Sequence, residues 1–243
     1  MNDLLLYFSA TGNTKWISDR LAEKLDDRAI DIMSLTYETD INNKLLVLLF
    51  PVYAWGVPEP FLKKLGLITG TPHFCSAIAT CGADVGEAFE SLPERFCIRS
   101  EYSIAMPNNY IIGSDTEDAD MVCLKLNNAK EQIDAIASEI RSEKEVRRLN
   151  KGKFSHLKSH IINPAFNAFA RTTKSFCVTD ACNSCGQCEN NCPAGAISLV
   201  HGKPVWRDKC YMCTSCINRC PMQAIEYGAK TKNRKRYYIE KYI

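Results

Sequence analysis

Two cysteine runs of identical spacing constrain this chain more than any other feature. The first reads Cys182-x2-Cys185-x2-Cys188-x3-Cys192-Pro193, and the second, 28 residues further on, reads Cys210-x2-Cys213-x2-Cys216-x3-Cys220-Pro221. Three cysteines in a short turn can hold three corners of a cubane cluster, and the proline after the fourth turns the chain away. The spacing is typical of two [4Fe–4S] clusters, in which the fourth cysteine of each run ligates the other cluster. It predicts one cluster on Cys182, Cys185, Cys188 and Cys220, and a second on Cys192, Cys210, Cys213 and Cys216.

Zinc is the main alternative for such cysteines, because Cys-x2-Cys pairs are common in zinc sites. A zinc site uses two such pairs, however, and has no role for a third cysteine at the same spacing. The two superposable runs therefore favour iron–sulfur clusters. The segment from about Phe176 to Tyr227 resembles a two-cluster bacterial ferredoxin.

The front half contains a small hydroxyl-rich loop between an apolar run, 3–8, and a segment with helical apolar spacing that begins near Trp16. Backbone N–H groups at the start of a helix favour an anion. Neither a Walker lysine spacing nor Gly-x-Gly-x-x-Gly occurs, so the loop suits a terminal monophosphate better than ATP or a dinucleotide. The alternative is a plain strand–helix turn with Thr11 or Asn13 as cap. The loop reads Ser9-Ala10-Thr11-Gly12-Asn13-Thr14.

Further apolar runs predict strands at 29–32, 44–50, 74–80 and 101–106, with helices at 61–67 and 117–144. Such alternation is typical of a doubly wound parallel α/β sheet, which binds ligands at the carboxyl ends of its strands. Two loops follow the third and fourth strands there, and the aromatic rings of the first suit a flat cofactor or merely cap the core. They are Pro51-Val52-Tyr53-Ala54-Trp55 and Thr80-Cys81-Gly82-Ala83.

The loop from Ser9 to Thr14, after a first strand and within five predicted strands, resembles the phosphate loop of flavodoxins. The resemblance implies FMN, with its phosphate on this loop and its ring framed by the loops after the third and fourth strands. The fourth-strand loop lacks the tyrosine that stacks on flavin in many flavodoxins, and Trp55 is the candidate for one ring face.

The order of the parts resembles the fused flavodoxin–ferredoxin family of anaerobic bacteria and archaea. It implies a flavodoxin-like five-stranded domain at 1–145, a linker at 146–176, and a small α+β two-cluster ferredoxin-like domain with a basic tail at 177–243. Cofactors would be FMN and two [4Fe–4S] clusters. In the helix at 117–144, Cys123 is expected in the core. His156 and His160 are expected as surface residues, because no third ligand is near them in sequence.

The chain has thirteen cysteines, eight of them in ligand spacing, which favours a reducing compartment over a disulfide scaffold, and we expect a cytoplasmic protein in an anaerobic setting. No basic signal segment is visible at the start, and the longest uncharged stretch, 45–58, is too short to span a membrane. Residues 1–140 hold 21 acidic and 11 basic residues, whereas 141–158 hold two and seven. The basic linker and tail are therefore candidates to dock on the acidic front half, and nucleic acid is not an expected partner.

Two functions follow from these parts. The first is an electron carrier, which passes electrons between the clusters and FMN and serves partner redox proteins. The second is a terminal FMN-dependent reductase of a small organic acceptor, for which Tyr53, Tyr110 and Asp84 are candidate proton donors. A thiol-based redox sensor using Cys81 or Cys177 is a weaker third hypothesis. The oligomeric state is open, a dimer included.

Overall fold

The central sheet occupies the front half of this computed structural model, which describes residues 3–208 and 210–243. The first eight strands in chain order are β1 (Leu4–Tyr7), β2 (Ala29–Asp31), β3 (Thr39–Asp40), β4 (Leu45–Pro51), β5 (Ile68–Thr69), β6 (Phe74–Cys81), β7 (Ser100–Ala105) and β8 (Arg147–Arg148). Six of them form one sheet in the order β2-β1-β4-β6-β7-β8, and all neighbours are parallel. The short strands β3 and β5 pair separately. The first five strands of the main sheet thus have the flavodoxin order.

Helices cover both faces of the sheet, because each central strand is buried on both sides. Helices α1 (Asn13–Leu25), α2 (Glu59–Leu65) and α3 (Ala119–Arg141) lie along it. In β1, Leu5 packs with α1 and α3, whereas Leu6 packs with α2. A strand with two buried faces must be apolar throughout, which explains the continuous runs in β1 and β4. The doubly wound flavodoxin-like fold class is confirmed.

Two details differ from the sequence predictions. The sheet has a sixth strand, β8, in the stretch predicted as linker, and its two exposed arginines pair with residues of β7. Such a short charged strand has no apolar pattern to reveal it. Cys123 is exposed, so its predicted core position is wrong. Val122 and Leu126 occupy the inward face of α3 instead.

A helical segment, 155–170, connects the sheet to the cysteine-rich region, and we call it the linker helix. It consists of α turns and π turns in alternation: Ser155–Leu157, Lys158–Ile162, Asn163–Ala165 and Phe166–Ala170. Basic residues in and around it pair with acidic residues of the front half, as the charge distribution predicts. These pairs are Arg147–Glu101, Arg148–Glu139, Lys151–Glu90, Lys158–Asp84 and Arg171–Glu59.

The cysteine-rich region contains two small ladders. A hairpin pairs Ile197–Val200 with Lys203–Trp206 and turns at Gly202, whose positive φ of 76° suits glycine. Ile225–Tyr227 pairs with Phe176–Val178. The Trp206 ring stacks on Phe176 with centroids 5.0 Å apart. The single-turn helices Gln187–Asn190 and Ser215–Asn218 lie 28 residues apart, which matches the repeat of the cysteines.

The basic tail docks on the sheet region rather than extending into solvent. Tyr237 and Ile239 are buried in the core cluster beside α1 and α3. The Tyr237 hydroxyl donates a hydrogen bond to Oδ1 of Asn13 at 2.8 Å. The last residues of the chain therefore stabilise the first helix.

An ion pair between Arg236 and Glu226 anchors this tail, and both side chains are buried. We expect Arg236→Met to destabilise the protein by about 3 kcal/mol, because the Glu226 carboxylate loses its charged partner in the interior. In a chain of this size that lowers the thermal midpoint by roughly 6–12 °C at a fixed scan rate. The exposed pair Lys15–Asp19 is the control, and Lys15→Ala should shift the midpoint by less than about 2 °C. Equal shifts would contradict a structural role for the buried pair.

Candidate cofactor-binding site

The loop from Ser9 to Thr14 joins β1 to α1 at the carboxyl edge of the sheet. Gly12 has a φ of +107°, which allows the chain to turn before α1 begins at Asn13. The Gly12 N–H donates to the Ser9 hydroxyl at 3.2 Å. Thr11, Asn13 and Thr14 are buried. The positive end of a 13-residue helix thus lies beside small polar side chains, as an anion site requires.

Hydrogen bonds from neighbouring loops hold this loop in place. The hydroxyls of Thr14 and Thr80 lie 2.8 Å apart, and the Asn13 side-chain amide donates to the carbonyl of Pro107 at 2.9 Å. The Asn109 amide donates to the Thr11 hydroxyl. Direct hydrogen bonds therefore hold the loops after β1, β6 and β7 together.

The loops enclose a narrow cavity of about 120 Å³. Eleven of the predicted cofactor residues line it: Ser9, Ala10, Thr11, Asn13, Thr14, Pro51, Val52, Tyr53, Thr80, Cys81 and Gly82. The loop after β7 also lines it, with Met106, Pro107, Asn108, Asn109 and Tyr110. This last loop was not predicted to bind the cofactor. Its position after the fifth predicted strand places it at the same ligand-binding edge of the sheet, so the sequence could have indicated it.

A wider apolar cavity of about 340 Å³ adjoins the narrow one. The two share Val52, Tyr53, Cys81, Gly82, Asn109 and Tyr110 in their walls. Ala54, Trp55, Ala83 and Asp84 line the wider cavity, as do Ile162 and Phe166 of the linker helix and Met212 and Cys213 of the second cysteine run. A polar cavity that opens into an apolar, aromatic one fits a ligand with a phosphate at one end and a flat ring at the other.

The turn that carries Trp55 is strained. Ala54 and Trp55 both have positive φ, 45° and 64°, and Tyr53 and Gly56 exchange backbone hydrogen bonds across them. Non-glycine residues adopt this conformation mainly where the surrounding structure enforces it, often at ligand sites. Here the linker helix does so, since Ser159 and Asn163 donate to the carbonyls of Trp55 and Tyr53 at 2.9 and 3.1 Å.

Gly12 lines neither of these cavities. A Cβ atom there would lie 2.6 Å from the side chain of Ile239 and 3.1 Å from Arg219. The C-terminal part of the chain thus packs against the outer side of the loop, and only glycine is small enough to fit at position 12.

Burial keeps two tyrosines and a cysteine in the cavity walls in their neutral forms. Burial raises the pKa of Tyr53 well above its ordinary value, and the nearby thiols of Cys213 and Cys210 raise it further. Burial likewise raises the pKa of Tyr110 and of Cys81 to about 12 each. A thiol with so high a pKa is a poor nucleophile, which argues against Cys81 as a redox sensor. The third candidate proton donor, Asp84, accepts a hydrogen bond from Lys158 at 2.8 Å.

One prediction concerns the linker helix as a wall of the wider cavity. The Phe166 ring lines the cavity and meets Tyr110 edge to face, with centroids 6.2 Å apart. We expect Phe166→Ala to weaken flavin binding about tenfold, because the apolar wall opens to water. Flavin fluorescence titration measures the affinity.

Phe169 provides the matched control, because it lies on the same helix with 84% of its surface exposed. Phe169→Ala should leave the flavin affinity unchanged. A loss of affinity that is the same in both variants would mean that the helix affects the cavity only through its stability.

The four cysteines predicted for the second cluster line one cavity together. Cys192, Cys210, Cys213 and Cys216 form its wall with Trp206. Burial raises the pKa of Cys213 to about 12, with Cys210 and Cys192 near enough to raise it further. Burial, with Cys213, Cys210 and Cys192 as neighbours, also raises the pKa of Cys216. The fourth cysteine of the first run therefore lies among the first three of the second run.

The remaining cysteines show the reciprocal arrangement. Burial raises the pKa of Cys188, and Cys220 and Cys185 raise it further, so the fourth cysteine of the second run lies near the first run. The backbone N–H groups of Ala196 and Ala224 each donate to the sulfur of the cysteine four residues earlier, at 3.3 Å. Such bonds to sulfur influence the potential of a cluster.

The second cysteine run is fastened to the loops of the sheet. The Thr214 hydroxyl and the Asn218 amide donate to the carbonyl of Asn109, at 2.8 and 2.9 Å. The Ser215 hydroxyl donates to the carbonyl of Ala10 at 2.8 Å. Cys213, which directly precedes Thr214, belongs to the walls of both the cysteine-lined cavity and the wide apolar cavity.

Comparison with known proteins identifies part of the chain. Residues 181–231 match the family model for the 4Fe-4S dicluster domain. This part of the chain is therefore an iron–sulfur domain, which indicates a redox role. No curated protein matches the sequence significantly.

Several solved structures are similar to part of this chain. A protein described as a flavoprotein from Bacteroides uniformis is 13% identical, with a TM-score of 0.42, over 56% of this chain and 97% of its own. The flavodiiron core of Flv1 from Synechocystis (16% identity, TM-score 0.38) and the rubredoxin:oxygen oxidoreductase of Desulfovibrio gigas (12%, 0.37) each match over 59% of this chain. The matched part spans only 37% of each of the latter two. At these TM-scores the flavodoxin-like assignment rests on the strand order. Among the described residues, no helix is both long and apolar enough to cross a bilayer.

Proposed function

We propose that this chain is a redox protein that transfers electrons between two [4Fe–4S] clusters and FMN, and that it carries electrons from a low-potential donor to a partner oxidoreductase. The proposal rests on one observation, which is that Cys213 belongs to the walls of two cavities. This residue lines the cysteine cavity and also the apolar cavity beside the phosphate loop. Two cofactors held on either side of one residue can exchange electrons within a chain.

The grouping of the thiols supports two clusters with the predicted ligands. Cys192 lies among Cys210, Cys213 and Cys216, and Cys220 lies near Cys185 and Cys188. This exchange of the fourth cysteine is typical of two-cluster ferredoxins. The domain is too small for a large core, so its clusters would contribute much of its folding free energy.

The shape and chemistry of the paired cavities support FMN over other flavins or nucleotides. The narrow cavity is small, and none of the described residues in its wall is a lysine or an arginine, so it suits one phosphate bound by N–H and hydroxyl groups. Tyr53, Trp55 and Tyr110 supply aromatic surface in the wider cavity for a flat ring. A dinucleotide would require a second phosphate position beyond the narrow cavity.

The exposure of the cysteines suggests the direction in which electrons pass through the protein. Cys185 is exposed, whereas Cys213 and Cys216 face the interior of their cavity. When bound, the clusters supply one-electron chemistry and FMN supplies one- or two-electron chemistry. A partner protein would therefore dock near Cys185, and Cys213 and Met212 would form the boundary toward the flavin.

The apolar cavity also supports a second candidate, a terminal FMN-dependent reductase of a small organic acceptor. Tyr53 and Tyr110 keep their phenolic protons because burial raises the pKa of both. They are thus possible hydrogen-bond donors to an acceptor above the ring. Turnover of added quinones or nitroaromatics far faster than by free FMN would favour this reductase over a carrier.

A stepwise reductive titration tests the proposal. The purified protein is reduced anaerobically in small steps and followed by absorbance and electron paramagnetic resonance. We expect one FMN and about eight irons per chain, and reduction of flavin and clusters in linked steps. Iron without bound flavin would overturn the FMN assignment, and about four irons would overturn the second cluster.

A further inference from the structure

Three side chains outside the cofactor cavities bring metal-binding atoms together. The ligand atoms of Glu87, His156 and His160 all lie within 4.8 Å of one another. Nε2 of His160 is 2.9 Å from Oε2 of Glu87. Both histidines are exposed, as predicted, but a third ligand atom lies near them because Glu87 is distant in sequence and adjacent in the fold.

The surroundings hold these ligands in position. The Ser155 hydroxyl donates to Oε1 of Glu87 at 3.0 Å, and the Glu87 backbone N–H donates to the Ser159 hydroxyl at 2.7 Å. Oε2 of Glu87 thus remains directed at His160. The rings of His156 and His160 lie 4.4 Å apart at one turn's spacing on the linker helix. Hydrogen bonds around a ligand set orient it for metal binding.

The chemistry of this set matches zinc better than a simple ion pair. An ion pair with Glu87 would need only one imidazole, whereas two imidazoles and a carboxylate are a common zinc ligand set. Tetrahedral zinc needs such atoms roughly 3.3 Å apart, which small side-chain rotations provide here. Glu90, whose Oε2 is 3.5 Å from His160, or a water could be the fourth ligand.

We propose that Glu87, His156 and His160 form a binding site for a divalent ion of the zinc type, which fastens the linker helix to the segment after β6. The same helix donates to the carbonyls of Trp55 and Tyr53 and lines the apolar cavity through Ile162 and Phe166. Metal binding would thus stabilise the closed wall of that cavity. The site does not depend on the identity of the cofactor inside.

The test uses the full chain with its complete iron content, so that unoccupied cysteines do not bind zinc. Loosely bound metal is removed with a chelator, the protein is dialysed against Zn²⁺, and bound zinc is counted by mass spectrometry. We expect wild type to bind one zinc per chain more than the variant His156→Gln/His160→Gln. Glu87→Gln should weaken zinc binding at this site at least about 100-fold, since even residues that only orient the ligands contribute 10–100-fold to metal affinity.

His73→Gln is the matched control, because His73 forms a surface pair with Glu143 at 3.0 Å but has no third ligand within the described set. It should bind zinc as wild type does. Hydrogen exchange of residues 155–163 should slow with zinc in wild type and stay unchanged in the double variant. If wild type and both ligand variants bind the same amount of zinc, the site is refuted. If zinc binds but hydrogen exchange of residues 155–163 does not slow, the metal does not hold the linker helix in place.

Discussion

Cys213→Ala should remove about four irons per chain and slow flavin reduction by a one-electron protein donor at least about 100-fold, with FMN still bound. The reason is that Cys213 is both a predicted ligand of the second cluster and part of the wall of the flavin cavity. FMN should stay because its phosphate loop joins β1 to α1, and the core around these two elements contains none of the eight predicted cluster cysteines. Iron analysis, flavin content and stopped-flow absorbance measure the three effects.

Two controls separate this effect from general damage. Cys177 is exposed in the same region and is not a predicted ligand, so Cys177→Ala should keep all irons and the wild-type rate. Cys182→Ala should also lose about four irons, but electrons should still exchange between flavin and the remaining cluster. If Cys213→Ala kept its iron, or if Cys182→Ala and Cys213→Ala blocked exchange equally, the proposed order of cofactors would be wrong.

The second large effect concerns the phosphate loop. We expect Thr11→Asp to weaken FMN binding about a thousandfold, because a buried carboxylate would face the phosphate. Two like charges 4 Å apart in a partly shielded site repel by about 4 kcal/mol. Thr11 is 3% exposed and lines the narrow cavity, so water can screen the repulsion only weakly. Fluorescence titration with FMN measures the change.

Riboflavin is the internal control, because it has the same ring and no phosphate. Its affinity should be the same in wild type and Thr11→Asp. Thr11→Val, which loses the hydrogen bond from Asn109, should weaken FMN binding only about fivefold. Equal losses for FMN and riboflavin would mean that the loop supports the ring or the fold and does not bind the phosphate.

Local sequence patterns predicted the sheet and the loops at its edge. The apolar runs of β1, β4 and β6 are buried on both faces, and such strands are recognisable without knowledge of their neighbours. Thr11, Thr14 and Thr80 line one cavity because the carboxyl ends of parallel strands meet at one edge.

Contacts between distant parts of the chain were not predictable in the same way. Tyr237 reaches Asn13 across 224 residues, and Asn218 reaches Asn109 across 109 residues. Neither contact has a local pattern, because each depends on how the cysteine-rich region packs on the sheet. The contact between Glu87 and His160 is likewise one between distant parts of the chain. The position of Cys213 between two cavities likewise emerged only from the three-dimensional structure.

The rate of electron exchange at different protein concentrations tests the central claim most directly. Protein is mixed anaerobically with less reductant than one electron per cluster, and the flavin absorbance is followed after the clusters are reduced. Because Cys213 lines both cavities, we predict a first-order rate that does not change over a tenfold range of concentration. A rate that rises in proportion to concentration would mean that electrons pass between chains, and would contradict the account.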